Sequence, residues 1–365
     1  MLAAPAAPVA TVVGLAACVA LATVPPVGAA LAHLAWLPST WIAGVAHFFA
    51  DAPLARLPWP PGWIEVAALG AVGMLVVAAL RFRAAVLALA LVGAIYLGLA
   101  GGARVAQLAG RPPHWQIAAC DVGQGDAVLV RSAAQVALID TGPEPAPLRQ
   151  CLDELGVAGI DLLVLTHFDL DHVGGLAAVV GSVQRVLVGP ADERGTDVVA
   201  ELEGSGAVVE MASRGLAGEL GELRWRVLWP TTRLAGVEPG NDASVTMAFE
   251  GVGACATGCL SSLFLGDLGE SSQEALLRAG PLPEVDVVKV SHHGSSDQSE
   301  RLYHRAGAAV GVVGVGDDNG YGHPTGRLLG ILAASSTAVA RTDLDGLVLL
   351  AAGTDPGEVT VWTER

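Results

Sequence analysis

The stretch that decides the fold runs from Leu162 to Gly175 and reads Leu-Leu-Val-Leu-Thr-His-Phe-Asp-Leu-Asp-His-Val-Gly-Gly. Its apolar beginning predicts a buried strand. Four side chains of metal-binding type follow the strand, and the closing glycines let the chain turn tightly enough for them to converge. We expect His167 and Asp169 to face one metal ion. The adjacent pair Asp171 and His172 then faces a second ion.

Later segments supply further side chains of the same types. One apolar strand leads to Asp267, although a Gly-Asp turn after a strand is common on its own. Another strand leads to His292 and His293, of which we expect one to bind metal and the other to be its neighbour. We favour His293, because the glycine after it permits close approach. His323 follows in a turn, and the whole set predicts two divalent metal ions.

Such a pair of ions can share a hydroxide, activate it as a nucleophile and hold a phosphoryl oxygen. We therefore count Asp171 among the catalytic residues. Lys289 is the only lysine of the chain, and it either contacts a phosphate or forms a salt bridge with a neighbouring Asp. His323, or whichever of His292 and His293 does not bind metal, is the candidate acid for the leaving oxygen.

Composition divides the chain into two parts. It is 52% hydrophobic and only 15% charged, which is too apolar for an average soluble protein. Residues 1–103 hold five charged side chains, so the remainder holds 17 of the 20 basic and 34 of the 36 acidic ones. We expect an all-α transmembrane segment at 1–103, a linker at 104–114 and an acidic domain at 115–365. An acidic surface argues against broad electrostatic binding to DNA, but not against a nuclease whose metals supply positive charge locally.

The first part predicts a multi-pass membrane segment. Pro8–Val24, Trp63–Leu80 and Ala84–Gly101 are apolar runs of roughly spanning length. Ala29–Trp59 is rich in Trp and Pro, which favours an amphipathic or re-entrant stretch over a clean span. The arginines at 81 and 83 favour the cytoplasmic side for the turn between the last two runs, which places the acidic domain outside the cytoplasm.

The acidic domain mixes short β-branched runs with helical stretches, which indicates layered α/β structure. The expected strands are Gln116–Val122, Ala127–Arg131, Val136–Ile139, Leu162–Leu165, Val186–Val188, Val245–Phe249, Ser262–Leu265, Val285–Val290, Val312–Val315, Ala338–Arg341 and Leu347–Leu350. The expected helices are Pro145–Leu155, Gly175–Gly181, Ser271–Ala279 and Thr325–Ala334. Five cysteines lack zinc-site spacing; Cys255 and Cys259 form either a small disulfide or two free thiols, and we favour the thiols.

Taken in order, the motifs resemble the C-terminal domain of the bacterial competence protein ComEC family, the inner-membrane DNA-uptake channel. The matching stretches are Asp121–Asp126, Leu138–Gly142, Thr166–Gly175, Asn241–Ser244, Leu265–Asp267, Lys289–Ser295, Tyr321–Pro324 and Arg341–Gly346. The segment before them is similar to the last membrane helices of that family.

This resemblance implies a metallo-β-lactamase αββα sandwich preceded by transmembrane helices. The implied metal ligands are His167, Asp169, Asp171, His172, Asp267, His293 or His292, and His323, with Asp267 bridging two ions. Asp126 and Asp140 match positions that orient ligands, and Asn241 and Ser244 match a supporting substrate-side motif. The superfamily commonly has His where Asp169 stands, so its oxygen tilts the metal from zinc toward manganese.

The implied function is a phosphodiesterase or nuclease in the plasma membrane that degrades single-stranded DNA during natural transformation. Family members carry an additional soluble domain and a longer channel, so we expect a truncated or split chain with a channel partner. One alternative is a phosphodiesterase or esterase for a small or cell-surface substrate such as phosphorylcholine. Another is a membrane scaffold whose metals are purely structural.

Overall fold

The structure is a computed structural model that describes residues 3–50, 62–79, 82–231, 238–355 and 357–365. It divides into two compact units, residues 1–101 and residues 102–365. From the sequence we expected this boundary to fall between residues 103 and 104.

The first unit is helical in its described part. Its helices are α1 (Ala6–Thr23), α2 (Pro25–Ala50), α3 (Trp63–Ala79) and α4 (Arg83–Ala109), the last of which continues into the second unit. Ala6–Thr23 and Pro25–Ala46 are long and apolar enough to cross a membrane, and Val66–Ala78 and Val86–Leu99 are shorter apolar helices. These apolar helices are consistent with membrane association.

Two expectations for this region concern residues that the structure describes as helix. The described part of the Ala29–Trp59 stretch is regular helix up to Ala50, with Pro38 inside it; its remainder lies outside the described residues, as does Arg81. The expected linker at 104–114 begins as the last turns of α4. Gly110 is the first helix-breaking residue after Arg104, so the sequence supports helix almost to that point.

The second unit contains two mixed sheets. The strands of the first half are β1 (Ile117–Ala119), β2 (Val128–Ser132), β3 (Gln135–Ile139), β4 (Ile160–Leu165), β5 (Val183–Val188), β6 (Val208–Met211), β7 (Ala217–Leu220) and β8 (Leu223–Trp229). Those of the second half are β9 (Thr246–Gly251), β10 (Ser262–Phe264), β11 (Val287–Lys289), β12 (Val310–Val313), β13 (Ala338–Arg341), β14 (Val348–Ala352) and β15 (Val359–Thr363). One sheet has the order β15-β14-β1-β2-β3-β4-β5-β6 and the other β13-β12-β11-β10-β9-β8-β7.

Helices cover the outer faces of both sheets. They are α5 (Pro145–Leu155), α6 (Leu170–Val173), α7 (Glu193–Gly204), α8 (Glu270–Ala279), α9 (Glu300–Ala306), α10 (Gly326–Ala334) and α11 (Thr342–Asp345). One apolar core packs α5 and α7 against the first sheet, and another packs α8 to α10 against the second. A third core fills the space between the sheets, where Phe249 and Phe264 meet edge to face. These four layers confirm the predicted αββα sandwich.

The carboxyl ends of parallel strands fix the position of the site. Strands β3, β4 and β5 are parallel in the first sheet, and β10, β11, β12 and β13 are parallel in the second. The loops after β4, β10 and β11 carry the residues singled out in the sequence. Such loops meet at one edge of a layered α/β fold, which is where ligands bind.

Disulfides differ from what the sequence led us to expect. Cys255 and Cys259 are bonded to each other, so our preference for two free thiols is wrong. A second disulfide joins Cys120, at the end of β1, to Cys151 in α5. Spacing along the chain gives no sign of that second pair, because 31 residues separate its two halves.

Candidate metal centre

Asp267 lies at the centre of the candidate site. Its Oδ2 atom is 3.3 Å from Nε2 of His172 and 3.5 Å from Nε2 of His293. The Nε2 atoms of His167 and His292 are each 4.0 Å from the same oxygen. Four imidazoles from two different sheets therefore converge on one carboxylate.

Two further carboxylates lie at the more exposed rim of this cluster. Asp169 Oδ2 is 3.5 Å from His167 Nε2. Asp171 Oδ2 is 3.1 Å from His293 Nε2 and 3.8 Å from His172 Nε2. The cluster thus has two halves that share Asp267. This agrees with the pairing expected from the sequence, and which atoms bind metal stays a prediction.

Hydrogen bonds on the far side of the rings fix their orientation. His172 Nδ1 donates to Asp140 Oδ2 at 2.8 Å. The Thr166 hydroxyl donates to the same oxygen at 2.8 Å, so its own oxygen is left to accept from His167 Nδ1 at 3.1 Å. His293 Nδ1 donates to the Gly314 carbonyl at 2.8 Å. With Nδ1 protonated, each of the three rings presents an Nε2 lone pair to the centre.

Buried atoms without partners show that the site fits a metal. Among the described residues, His167 Nε2, His172 Nε2 and Asp267 Oδ1 are buried and make no hydrogen bond. Such orphaned groups are rare in folded proteins. Imidazole nitrogen and carboxylate oxygen are the donors that divalent transition metals take. The residues present therefore fit divalent metal binding.

Asp126 belongs to a group of close ligand-type atoms with His172, Asp267 and His293. Its Oδ1 atom, however, lies 3.4 Å from Nδ1 of His293, the nitrogen that points away from the centre. Asp126 is therefore behind the imidazole rather than beside the orphaned atoms. This geometry suits the orienting role that the resemblance implies for it.

The electrostatics of the cluster favour a cation. Burial opposes ionisation of Asp267, but the imidazoles of His172 and His293 hold its pKa well below the usual range. Burial alone would lower the pKa of His172. The carboxylates of Asp267 and Asp140 outweigh burial, so the pKa is raised well above its usual value. Carboxylates raise the pKa of His293 to about 10 against the same burial, with Asp126 the stronger and Asp267 the next. Metal ions and protons would thus compete for these rings.

Lys289 is buried and faces away from the open side of the site. Its ammonium donates to Asp126 Oδ2 and, at 2.8 Å, to the Val290 carbonyl. The structure thus shows the salt bridge, one of the two alternatives left open by the sequence, so the ammonium is already held by Asp126. We leave Lys289 out of the proposed catalytic groups.

His323 lies at the mouth of the site, next to His292 rather than next to Asp267. The two ring centroids are 5.8 Å apart, and the Nδ1 atom of His323 is buried without a hydrogen-bond partner in the described structure. Burial, and then the neighbouring His292 and His293, lower the pKa of His323.

Backbone geometry explains why residue order alone could not show which of His292 and His293 faces the metal centre. His292 and His293 both have left-handed backbones, with φ of 49° and 50°, a conformation that costs roughly 1–3 kcal/mol in a residue other than glycine. Because of this turn, the rings of both His292 and His293 lie toward Asp267, although the two residues are adjacent in the chain. Two glycines are needed nearby for a different reason: a Cβ on Gly174 or Gly175 would overlap a backbone carbonyl of the segment 141–143.

A cleft of about 730 Å³ opens beside Asp267 and His292. Asn241 lines it, and Ser244 lies beneath, where its hydroxyl accepts from the Asp267 amide at 3.2 Å. Three acidic residues, Glu238, Asp242 and Asp297, also line the cleft. Sequence reasoning missed two orienting groups, Thr166 and the Gly314 carbonyl, for which residue type gives no signal.

Comparisons with known proteins define the class. The model of the metallo-beta-lactamase superfamily matches residues 120–207. With the two packed sheets, this match gives the chain a metallo-β-lactamase fold. The fold and the buried His/Asp cluster together support a metal-dependent hydrolase.

Curated relatives then confirm the resemblance to the ComEC family. The chain is 28% identical over 259 residues to ComE operon protein 3 of Bacillus subtilis (strain 168), covering 62% of this chain and 32% of the relative. It is 29% identical over 241 residues to competence protein ComA of Neisseria gonorrhoeae, covering 64% of this chain and 32% of the relative. The chain spans about a third of the length of these relatives.

Solved structures of similar fold are more distant. A diphosphatase of the PhnP family is 17% identical with a TM-score of 0.38, and the match covers 61% of this chain and 94% of that one. The metallo-beta-lactamase fold protein YhfI from Bacillus subtilis is 12% identical with a TM-score of 0.42, covering 67% of this chain and 98% of that one.

Proposed function

We propose that the chain is a membrane-anchored, metal-dependent phosphodiesterase that hydrolyses single-stranded DNA during DNA uptake. The observation that carries the proposal is the convergence of four imidazole Nε2 atoms within 4.0 Å of Asp267 Oδ2. The DNA substrate is supported by the competence proteins among the relatives.

In this proposal the two halves of the cluster hold two divalent ions. His167, Asp169 and His292 would hold one ion, and Asp171, His172 and His293 would hold the other; Asp267 lies between the two sets. The metal is manganese or zinc, and the carboxylate of Asp169 in place of an imidazole favours manganese. This assigns both members of the histidine pair, whereas the sequence favoured His293 alone.

The ions, when bound, neutralise charge on the phosphoryl oxygens and acidify the attacking water. The protein orients the groups that hold them: Asp140 and the Gly314 carbonyl keep His172 and His293 in the tautomer whose Nε2 is free. His323, at the mouth of the site, is the candidate acid for the leaving oxygen, and its lowered pKa means that the protonated ring is the minor form near neutral pH.

We place the hydrolase domain outside the cytoplasm and the chain in the plasma membrane, beside a partner that supplies the channel. The apolar helices α1 and α2 support the membrane placement. The two disulfides support the orientation, because disulfides persist in oxidising compartments and are rare in the cytosol.

The test uses the full chain purified in detergent and loaded with Mn²⁺ or Zn²⁺. We expect it to cleave a single-stranded oligonucleotide and bis(p-nitrophenyl) phosphate. Asp267→Asn should lower kcat/KM for both by about a thousandfold or more, because the shared carboxylate supports both ions. Asp197→Asn, on the exposed face of α7, is the matched control and should cleave like the wild type.

One outcome of this test would contradict the proposed enzyme activity. If the wild type binds metal tightly but hydrolyses no phosphodiester with either ion, the enzyme proposal is wrong and a scaffold with structural metals is favoured.

The acidic cleft favours a second candidate, a phosphodiesterase for a small substrate. Glu238, Asp242 and Asp297 next to the site repel additional phosphates and suit a substrate whose phosphate carries a cationic group, as in phosphorylcholine esters. Hydrolysis of p-nitrophenyl phosphorylcholine without cleavage of DNA would support this candidate over the first.

A further inference from the structure

A row of aromatic rings leads from the metal centre to the surface. His292, whose Nε2 is 4.0 Å from Asp267 Oδ2, contacts His323 edge to face, with centroids 5.8 Å apart. His323 in turn stacks on Tyr321, with centroids 5.8 Å apart and an interplanar angle of 25°. Tyr321 is 77% exposed, so the row ends in an aromatic ring with most of its surface open to solvent.

The turn that carries Tyr321 is held by one side chain. Asn319 Oδ1 accepts from the amides of Tyr321 at 3.1 Å and His323 at 3.3 Å. The amide nitrogen of Asn319 also donates to the His323 carbonyl. Gly322 between them has φ of +73°, which folds the turn so that the two rings stack. The exposed ring is therefore positioned before any ligand arrives.

The described residues that line the neighbouring cleft include acidic side chains. Glu238, Asp242 and Asp297 line the neighbouring cleft, and none of its described lining residues is Lys or Arg. Lys289 is occupied by Asp126. Where the described lining carries no cation, affinity for a strand can come from the metal ions and from contacts that carry no charge. Stacking of an unpaired base on an aromatic ring is such a contact, and it contributes about 1–3 kcal/mol per base.

We propose that Tyr321 is a stacking platform for one unpaired base of the substrate, next to the phosphodiester at the metal centre. The proposal rests on the proposed function and specifies its substrate as a strand with a free base at that position. Bases inside a duplex are already stacked on their neighbours, so Tyr321 selects single strands over duplex.

The experiment compares two oligonucleotides of equal length on the full chain in detergent with Mn²⁺, one of thymidines and one of abasic tetrahydrofuran units. We expect the wild type to prefer the base-bearing strand. Tyr321→Ala should reduce that preference, measured as the ratio of kcat/KM values, by about tenfold, through KM rather than kcat. Tyr321→Phe should keep the preference, because the ring remains. Leu344→Ala, which removes another exposed apolar side chain, is the control and should also keep it.

Three results would overturn the proposal: equal use of both strands by the wild type, an unchanged preference in Tyr321→Ala, or equal loss of preference in Tyr321→Ala and Tyr321→Phe. Binding of the same strands, fluorescently labelled, to the Asp267→Asn protein tests the platform without turnover. If the wild type cleaves neither strand, the proposed function fails, while the binding comparison still decides whether Tyr321 holds a base.

Discussion

Asp140 shows how much of the centre depends on a residue that does not face it. Its carboxylate accepts from His172 Nδ1, from the Thr166 hydroxyl and from the Thr166 amide at 2.7 Å. Through Thr166 it also sets the tautomer of His167. Its own backbone is left-handed, with φ of 59°, and such strain persists only where the surrounding structure enforces it. One buried carboxylate thus orients rings in both halves of the cluster.

The buried pair of Lys289 and Asp126 gives a prediction about stability. Lys289→Met should lower the melting temperature strongly, since removing one partner of a buried ion pair costs about 3–5 kcal/mol. The double variant Asp126→Asn with Lys289→Met should recover most of that loss, because neither charge remains. Thermal unfolding of the metal-free protein measures both effects.

The stability that the Lys289–Asp126 pair contributes should not change with pH near neutrality. Lys289 lowers the pKa of Asp126 to about 2 against the effect of burial. A carboxylate whose folded-state pKa is lowered contributes stability above its unfolded pKa, near 3.9, and loses that contribution as the pH falls toward 2.

The exposed pair Arg185 and Glu210 is the control for the double variant, with an expected coupling of at most about 1 kcal/mol. A double variant no more stable than Lys289→Met would contradict the counter-ion role.

At the scale of elements, the disulfide between β1 and α5 ties a strand of the first sheet to a helix that covers it. Replacing Cys120 and Cys151 by Ser should lower the free energy of unfolding by about 3–4 kcal/mol, because the disulfide closes a 31-residue loop. The same change at Cys255 and Cys259, four residues apart, should cost only about 2 kcal/mol. Thermal unfolding with and without reductant measures both, and equal losses would contradict the loop-length argument.

Elements with strong local signals were predictable. The helix at Pro145–Leu155 has its predicted bounds, and the strand before His167 lies where its apolar run predicts it. Gly175–Gly181 was predicted as a helix, which is wrong: only a 3-10 turn forms at Leu176–Ala178, where two glycines precede it. Strands β6, β7, β8 and β15 were not predicted; in the edge strands β6 and β7, exposed residues dilute the alternation on which such predictions rest.

The side chains of the candidate site could be predicted from the sequence, whereas the hydrogen-bond partners behind its rings could not. Side-chain types at strand ends pointed to the cluster around Asp267. The partners of the rings depend on which strands are neighbours, as with the Gly314 carbonyl behind His293. That contact joins segments far apart in the chain, and one sequence carries no information about it.

At the scale of the whole molecule, the acidic surface predicts how salt affects the enzyme. Proteins that hold nucleic acid by many Lys and Arg contacts lose affinity steeply as salt rises. Residues 104–365 hold 17 of the 20 basic and 34 of the 36 acidic side chains of the chain. We therefore expect KM for a single strand to change by no more than about fourfold between 50 and 200 mM salt, equivalent to roughly one released counterion. A change of a hundredfold would mean that a basic path for the strand exists.

The division of the centre between two sheets also bears on when the chain becomes active. The first sheet supplies His167 to His172, while Asp267, the histidine pair and His323 come from segments synthesised later. A ribosome adds residues from the amino end, and domains fold as their sequence emerges. The early half can form its strands and still lack the shared carboxylate. A cell making this protein therefore exposes no complete candidate centre on a nascent chain until His323 has been translated.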